Sequence, residues 1–236
     1  AFPHLQTSHA VALADELERH ALQSGDAAGW LGYHLIQSAG RYQMQPLDSD
    51  LYNGVTGIAL FLAALEKTVG GGGRYRALAL AGLSDLKRAV AAARPDQFAY
   101  TRIGGGDGLS STVYGLLRVG ELLAEPELIE SARQLGRMIT PAAIESDKEY
   151  DALSGAAGAV LCLLALHSAA GDQYALDMAA LCGRHLLAHR VESEEGLRAW
   201  PTLANFVPAG KLPSGMAHGA AGIAYALLRL AQATGD

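Results

Sequence analysis

The chain has 236 residues, of which 50% are hydrophobic, 18% charged and 6% aromatic. That length holds one large domain or two small ones, and the excess of Ala, Leu and Gly suits an all-helical protein with a core of small side chains. A formal net charge of −6 leaves no basic stripe to neutralise phosphates, which argues against a nucleic-acid binder.

The N-terminal AFPHLQTSH has no Met, no basic stretch and no apolar h-region. It does not read as a signal peptide, and the missing Met suggests excision from a longer chain. Thr7 or Ser8 is placed to cap a first helix through AVALADELERHAL, and GWLGYHLIQSA reads as a second helix. GRYQMQPLDSD reads as irregular. A helix then opens at the glycine pair Gly54 and Gly57 and runs to about Thr68, and VGGGGR makes a flexible connection. RYRALALAGLSDLKRAVAAAR is amphipathic and stops by Pro95, and RPDQFAYTR, 94 to 102, reads as a surface loop.

The same alternation then recurs. A helix opens at Gly108 and runs to Leu123, followed by the amphipathic PELIESARQLGRMI. Another opens at Gly155 and Gly158 and runs to Ala170, followed by DQYALDMAALCGRHLLAHR. A fourth opens at Gly219 and Gly222 into IAYALLRLAQA, and LRLAQATGD ends just after it. The longest apolar runs, VTGIALFLAAL and AGAVLCLLAL, are too short to span a bilayer.

Gly54, Gly108, Gly155 and Gly219 stand 54, 47 and 64 residues apart, longer and less regular than short helical repeats. Each unit couples a nearly all-apolar helix to an amphipathic one. A helix apolar all round must be buried on every side, and an amphipathic one covers it from outside. Repeated hairpins of this kind close into a double ring, so the expected fold is all-α, an α/α toroid of inner and outer helices in a single domain over 1–236.

Glycine at the helix starts can allow positive φ, close backbone approach, or uncovered N–H groups facing an anion. Tight packing alone is the plainer account. The residue before each glycine is polar: Asn53, Asp107, Ser154 and His218. Four residues before each glycine stand Asp50, Gly104, Asp151 and Gly215. Equivalent repeats would gather these side chains at one end of the ring. That fits a site at a cavity mouth, and equally a set of solvated caps.

Read in order, SDLYNGVTGIALFLAAL, GGGDGLSSTVYGLL, YDALSGAAGAVLCLLAL and SGMAHGAAGIAYALLRLA resemble the lanthionine synthetase C-like family. WLGYHL with MQPLDSDLYNGVTGIALFLAAL is most similar to the C-terminal cyclase domain of bifunctional class II lanthipeptide synthetases. The resemblance implies a toroid of seven inner helices, of which about four are present, and an N-terminal dehydratase domain in the parent chain. It implies addition of peptide Cys thiols to dehydroalanine or dehydrobutyrine, with a dehydrated precursor peptide as partner. It makes His218 the residue for proton transfer or enolate stabilisation, and Asp151 its acidic partner. Asp50 and Asp107 receive no role.

The resemblance also implies a zinc ion that binds the incoming thiol. Its ligands in the family are a cysteine after a tryptophan and a Cys-His pair, and neither motif occurs here, so Zn2+ ligands are expected beyond residue 236. The fragment alone is then expected to be inactive and to self-associate through exposed inner-helix surface.

Other patterns weigh less. Cys182, His185 and His189 share a helical face, but on an outer helix, and no metal is expected on them. Cys162 with His167 is not helically aligned. GGGDG at 104 to 108 lacks the strand and the Lys-Ser/Thr of a phosphate loop. Two cysteines make no disulfide framework, and a reduced, cytoplasmic protein is expected. Two other functions share the fold class: a non-catalytic toroid used for binding, and a glycoside hydrolase with Asp50 and Asp151 as its carboxylates, which the shortage of aromatics disfavours.

Overall fold

A computed structural model of the chain describes residues 2–36, 39–92, 102–192, 196–204, 206–208 and 210–235. Its main body follows from the two kinds of helix. The apolar segments form α2 (Val55–Val69), α4 (Leu109–Leu123), α7 (Ala156–Ala170) and α9 (Ala220–Thr234). These four pack side by side in chain order as an inner row. The amphipathic segments form α3 (Arg74–Ala91), α5 (Pro126–Gly136) and α8 (Gln173–Ala188), each an outer partner of the inner helix before it. In α3 the buried positions 75, 78, 79, 82, 83, 86 and 90 keep helical spacing along one stripe, as an outer helix requires. The fold is all-α, a two-layered arc of the α/α toroid type.

Leu62, Leu83, Leu116, Leu117, Leu135, Leu163, Leu166, Leu186 and Ile223 are almost wholly buried, and they belong to one continuous core that runs between the layers. On the outside, Lys87 of α3 pairs with Glu127 of α5. Arg133 of α5 and Arg137, just past its end, reach Asp172, the N-cap of α8, at 3.1 and 2.9 Å. Each inner helix stops in the same way, at a left-handed residue whose N–H bonds the carbonyl four residues back: Gly70, Ala124, Gly171 and Gly235.

Several local expectations are corrected. The helix expected over GWLGYHLIQSA does not form through Ile36. Trp30 is buried, Leu31–Ile36 is strand β3, and it pairs antiparallel with β4 (Arg41–Pro46) inside the stretch read as irregular. Two smaller hairpins, β1–β2 (Leu22–Ser24 with Ala27–Gly29) and β5–β6 (Val191–Glu192 with Arg198–Ala199), and the short helix α6 (Pro141–Glu145) were not foreseen. The first helix, α1 (Phe2–Arg19), already contains Thr7 and Ser8, so neither caps it. Pro95 and most of the 94–102 loop lie outside the described residues. Among the described residues no helix is long and apolar enough to cross a membrane.

Candidate functional site

The four helix starts share one backbone construction. The loop before each helix wraps its first turn, so that N–H groups of that turn bond carbonyls seven residues back: Val55 to Asp48 at 2.8 Å, Leu109 to Arg102 at 3.1 Å and Ala220 to Pro213 at 3.0 Å. In the third repeat Ala157 bonds Tyr150 at 3.1 Å, and the Ala156 N–H turns to the Asp147 carboxylate at 3.0 Å. The turn leaves no room for a side chain. A Cβ on Gly54 would lie 2.4 Å from the Asp48 carbonyl oxygen, and one on Gly219 would lie 2.4 Å from the Gly215 nitrogen. All four glycines have extended, negative φ. Close approach therefore explains them, and positive φ does not. The carbonyls that approach so closely also occupy N–H groups that an anion would need. The packing account of the glycines holds.

The loops are also stitched to one another. Tyr52 donates to the Gly106 carbonyl at 3.0 Å, Gly106 to Leu153 at 2.7 Å, and Ala152 and Leu153 both to Ala217 at 3.1 Å. This ladder brings the polar residues before the glycines to one end of the arc. Asp151 and His218, 67 residues apart, meet there: His218 Nδ1 lies 2.7 Å from Asp151 Oδ2. Asp151 is wholly buried, and its Oδ1 accepts the Ser154 N–H at 2.7 Å. A carboxylate held this way fixes the imidazole with its proton on Nδ1 and leaves Nε2 as the working nitrogen. The His218 side chain stays 33% exposed, open to a ligand. Buried Thr202 anchors its backbone by donating to the His218 carbonyl.

A second cluster adjoins the pair. Ser154 donates its hydroxyl to Asp107 Oδ2 at 3.2 Å, and Arg102 donates to the same oxygen at 2.8 Å. Asp107 Oδ1 is buried and has no hydrogen-bond partner among the described residues. Asp50 is buried one loop away. Burial pushes its carboxyl above the usual range, and the negative charges of Asp48 and Asp107 add to this, against the Asn53 N–H that Oδ1 accepts at 2.6 Å. Asn53 itself is exposed. Arg102 and Thr202 escaped the reading of the sequence, because neither sits at the repeated position before a glycine.

The described residues do not fit a zinc ion. Among the described residues no three His, Cys, Asp or Glu side chains group as a metal site. Cys182 is buried, and burial pushes its thiol far up. His185 Nε2 faces the Asp147 carbonyl at 3.0 Å, and its ring packs against those of Tyr150 and His189, which also stack on each other. His189 Nδ1 faces the His185 carbonyl at 2.8 Å. The Cys162 thiol is pushed up to about 12 by burial. A thiol so reluctant to ionise is a poor ligand.

A two-layered helical toroid in which a buried Asp holds a partly exposed His at the start of the inner helices is thus the class of protein that the fold and site define. The family model described as lanthionine synthetase C-like protein matches residues 45–236, most of the chain. The chain belongs to that family. No curated protein matches it.

Proposed function

We propose that this chain is part of a lanthipeptide cyclase, which adds the cysteine thiols of a dehydrated precursor peptide to dehydroalanine or dehydrobutyrine. The observation that carries the reading is the Asp151–His218 contact at the helix starts of a lanthionine synthetase C-like chain. In the reaction the S–Cβ bond forms as the C=C π pair moves toward the carbonyl, giving an enolate. The α-carbon then takes a proton, and the thiol has lost one, so the sum is an isomerisation. His218 Nε2 is the group that delivers the α-proton. Asp151, with Oδ2 on Nδ1, orients the ring and stabilises its protonated form. Ser154 fixes the Asp151 carboxylate from the other side. In this reading the parent chain carries a dehydratase domain of the class II type, and the protein works in the cytoplasm.

The test uses the full-length parent protein and its dehydrated precursor. Cyclisation leaves the peptide mass unchanged, so it is followed as loss of thiols that N-ethylmaleimide can alkylate. We expect His218→Ala to slow thiol loss by on the order of 10²–10⁴-fold. Asp151→Asn, which keeps a carbonyl oxygen for the Ser154 N–H, should slow it as well. Thiols that disappear as fast in His218→Ala as in the wild type overturn the assignment of His218. Thiols that survive intact with the wild-type enzyme overturn the cyclase and favour a toroid used for binding.

A further inference from the structure

The inner row holds a groove of about 710 Å³, lined by α4, α7 and α9 together with Leu51, Gly105 and Ala152 from the loops before α2, α4 and α7. Two of these helices carry the same pair of side chains at the same repeat position. Tyr114 and Arg118 stand six and ten residues after Gly108, and Tyr225 and Arg229 stand six and ten after Gly219. In both pairs the guanidinium lies over its tyrosine ring, 5.0 Å from the centroid in α4 and 5.9 Å in α9. The middle helix, α7, places Leu161 and Ala165 at these two positions, so an apolar floor separates two cationic walls.

The electrostatics of the groove run against those of the molecule. The chain has 24 acidic and 18 basic residues, yet among the described residues no carboxylate lines this cavity. Arg118 shares its charge with Glu121 at 2.6 Å. Arg229 has no ion-pair partner among the described residues and is held by the Tyr225 hydroxyl at 3.1 Å. Stacking on an aromatic ring presents the planar fork for bidentate capture of a carboxylate. The groove's length distinguishes the ligand from a small anion, since the lining residues on α7 run from Gly158 to Ser168, about 15 Å of helix.

We propose that this groove binds an acidic peptide segment, with Arg118 and Arg229 taking its carboxylates and the Leu161–Ala165 floor its backbone and aliphatic stems. Arg229 lies ten residues along α9 from its start, about 15 Å below His218. An extended chain covers that distance in about four or five residues. If His218 acts as proposed above, an acidic residue four or five positions from the reacting one seats at Arg229. That spacing rests on the cyclase reading, and the binding itself does not.

The test is therefore a binding measurement that needs no chemistry. A fluorescein-labelled decapeptide of alternating Glu and Gly is titrated into the full-length protein by anisotropy, beside its Gln-Gly counterpart. The Glu peptide should bind at least about tenfold tighter, Arg118→Gln and Arg229→Gln should each remove about tenfold, and added salt should weaken it. Arg184→Gln, an exposed change on the outer helix α8, should bind as the wild type. Equal binding of the two peptides overturns the proposal, as does loss in Arg184→Gln as large as in the groove variants, which would mark a bulk charge effect. A protein that binds the Glu peptide through these arginines but leaves precursor thiols intact keeps the groove and loses the cyclase.

Discussion

Ala124 ends α4 at φ 55°, the left-handed conformation that Gly70, Gly171 and Gly235 take where α2, α7 and α9 end. An L-residue pays about 1–2 kcal/mol there, and glycine's greater freedom in the unfolded chain returns part of that difference. Ala124→Gly should therefore raise stability by about 0.5–1 kcal/mol, read as a higher urea midpoint at unchanged slope. A lower midpoint would mean that the Ala124 methyl contributes packing that outweighs its backbone strain. The Asp151–His218 pair belongs to this scale too, but only half of it was visible in the sequence. AHG and YDALSG single out the two residues, and the repeat puts them at one end of the ring. Their contact depends on the Ala217 carbonyl receiving two N–H groups from the neighbouring loop, a register that no spacing announces.

Between elements, Asp172 does the most with one side chain. It caps α8 through the Ala175 N–H at 3.0 Å and receives Arg133 and Arg137 from the C-terminal end of α5. Burial works to raise its carboxyl pKa, and the Ala175 N–H with the two guanidinium groups outweighs burial, so it sits below its ordinary 3.8. A folded-state value below the unfolded one adds stability that is fully present above about 3.8 and disappears as pH falls through the lower folded value. Asp172→Asn should then cost about 1 kcal/mol near neutral pH, a modest figure because both arginines are partly exposed and screened. The gap between variant and wild type should close below pH 3.8, and a gap that stays constant to lower pH would remove the charge from the explanation. The helices joined in this way were legible because burial dictates their patterns. The β3–β4 hairpin was not. Trp30, Leu31 and Leu35 fit a helical stripe, while Leu31, Tyr33 and Leu35 fit a strand equally well. The choice is made by a partner, Arg41–Pro46, whose Tyr42 and Met44 alternate with Arg41, Gln43 and Gln45, a period-2 signal too short to outweigh the helical stripe when read alone.

Across the whole molecule the question is whether successive helix pairs melt together. Repeat arrays held only by nearest neighbours can lose their ends first. Here the neighbours are joined three times over, by a continuous core, by ion pairs across the outer layer, and by loop-to-loop hydrogen bonds at the helix starts. The two tryptophans report on opposite ends of this system. Trp30 is buried beside Gly82 of α3, with its indole N–H on the Leu17 carbonyl at 2.8 Å. Trp200 is buried against α8, with its indole N–H on the Leu186 carbonyl at 2.8 Å. Trp30→Phe and Trp200→Phe each leave a single tryptophan, excited selectively over the tyrosines, and each lose one buried hydrogen bond, about 1 kcal/mol, so the comparison is made within each variant. In both, tryptophan fluorescence and far-UV circular dichroism should give the same urea midpoint, the mark of one cooperative unit. Fluorescence of Trp30 that moves before the dichroism would assign the N-terminal hairpins and α1 to a separate, weaker unit. The same result for Trp200 would place the weak unit at the loop that holds Thr202 and His218, and the Asp151–His218 pair would then be the first part of the site to come apart.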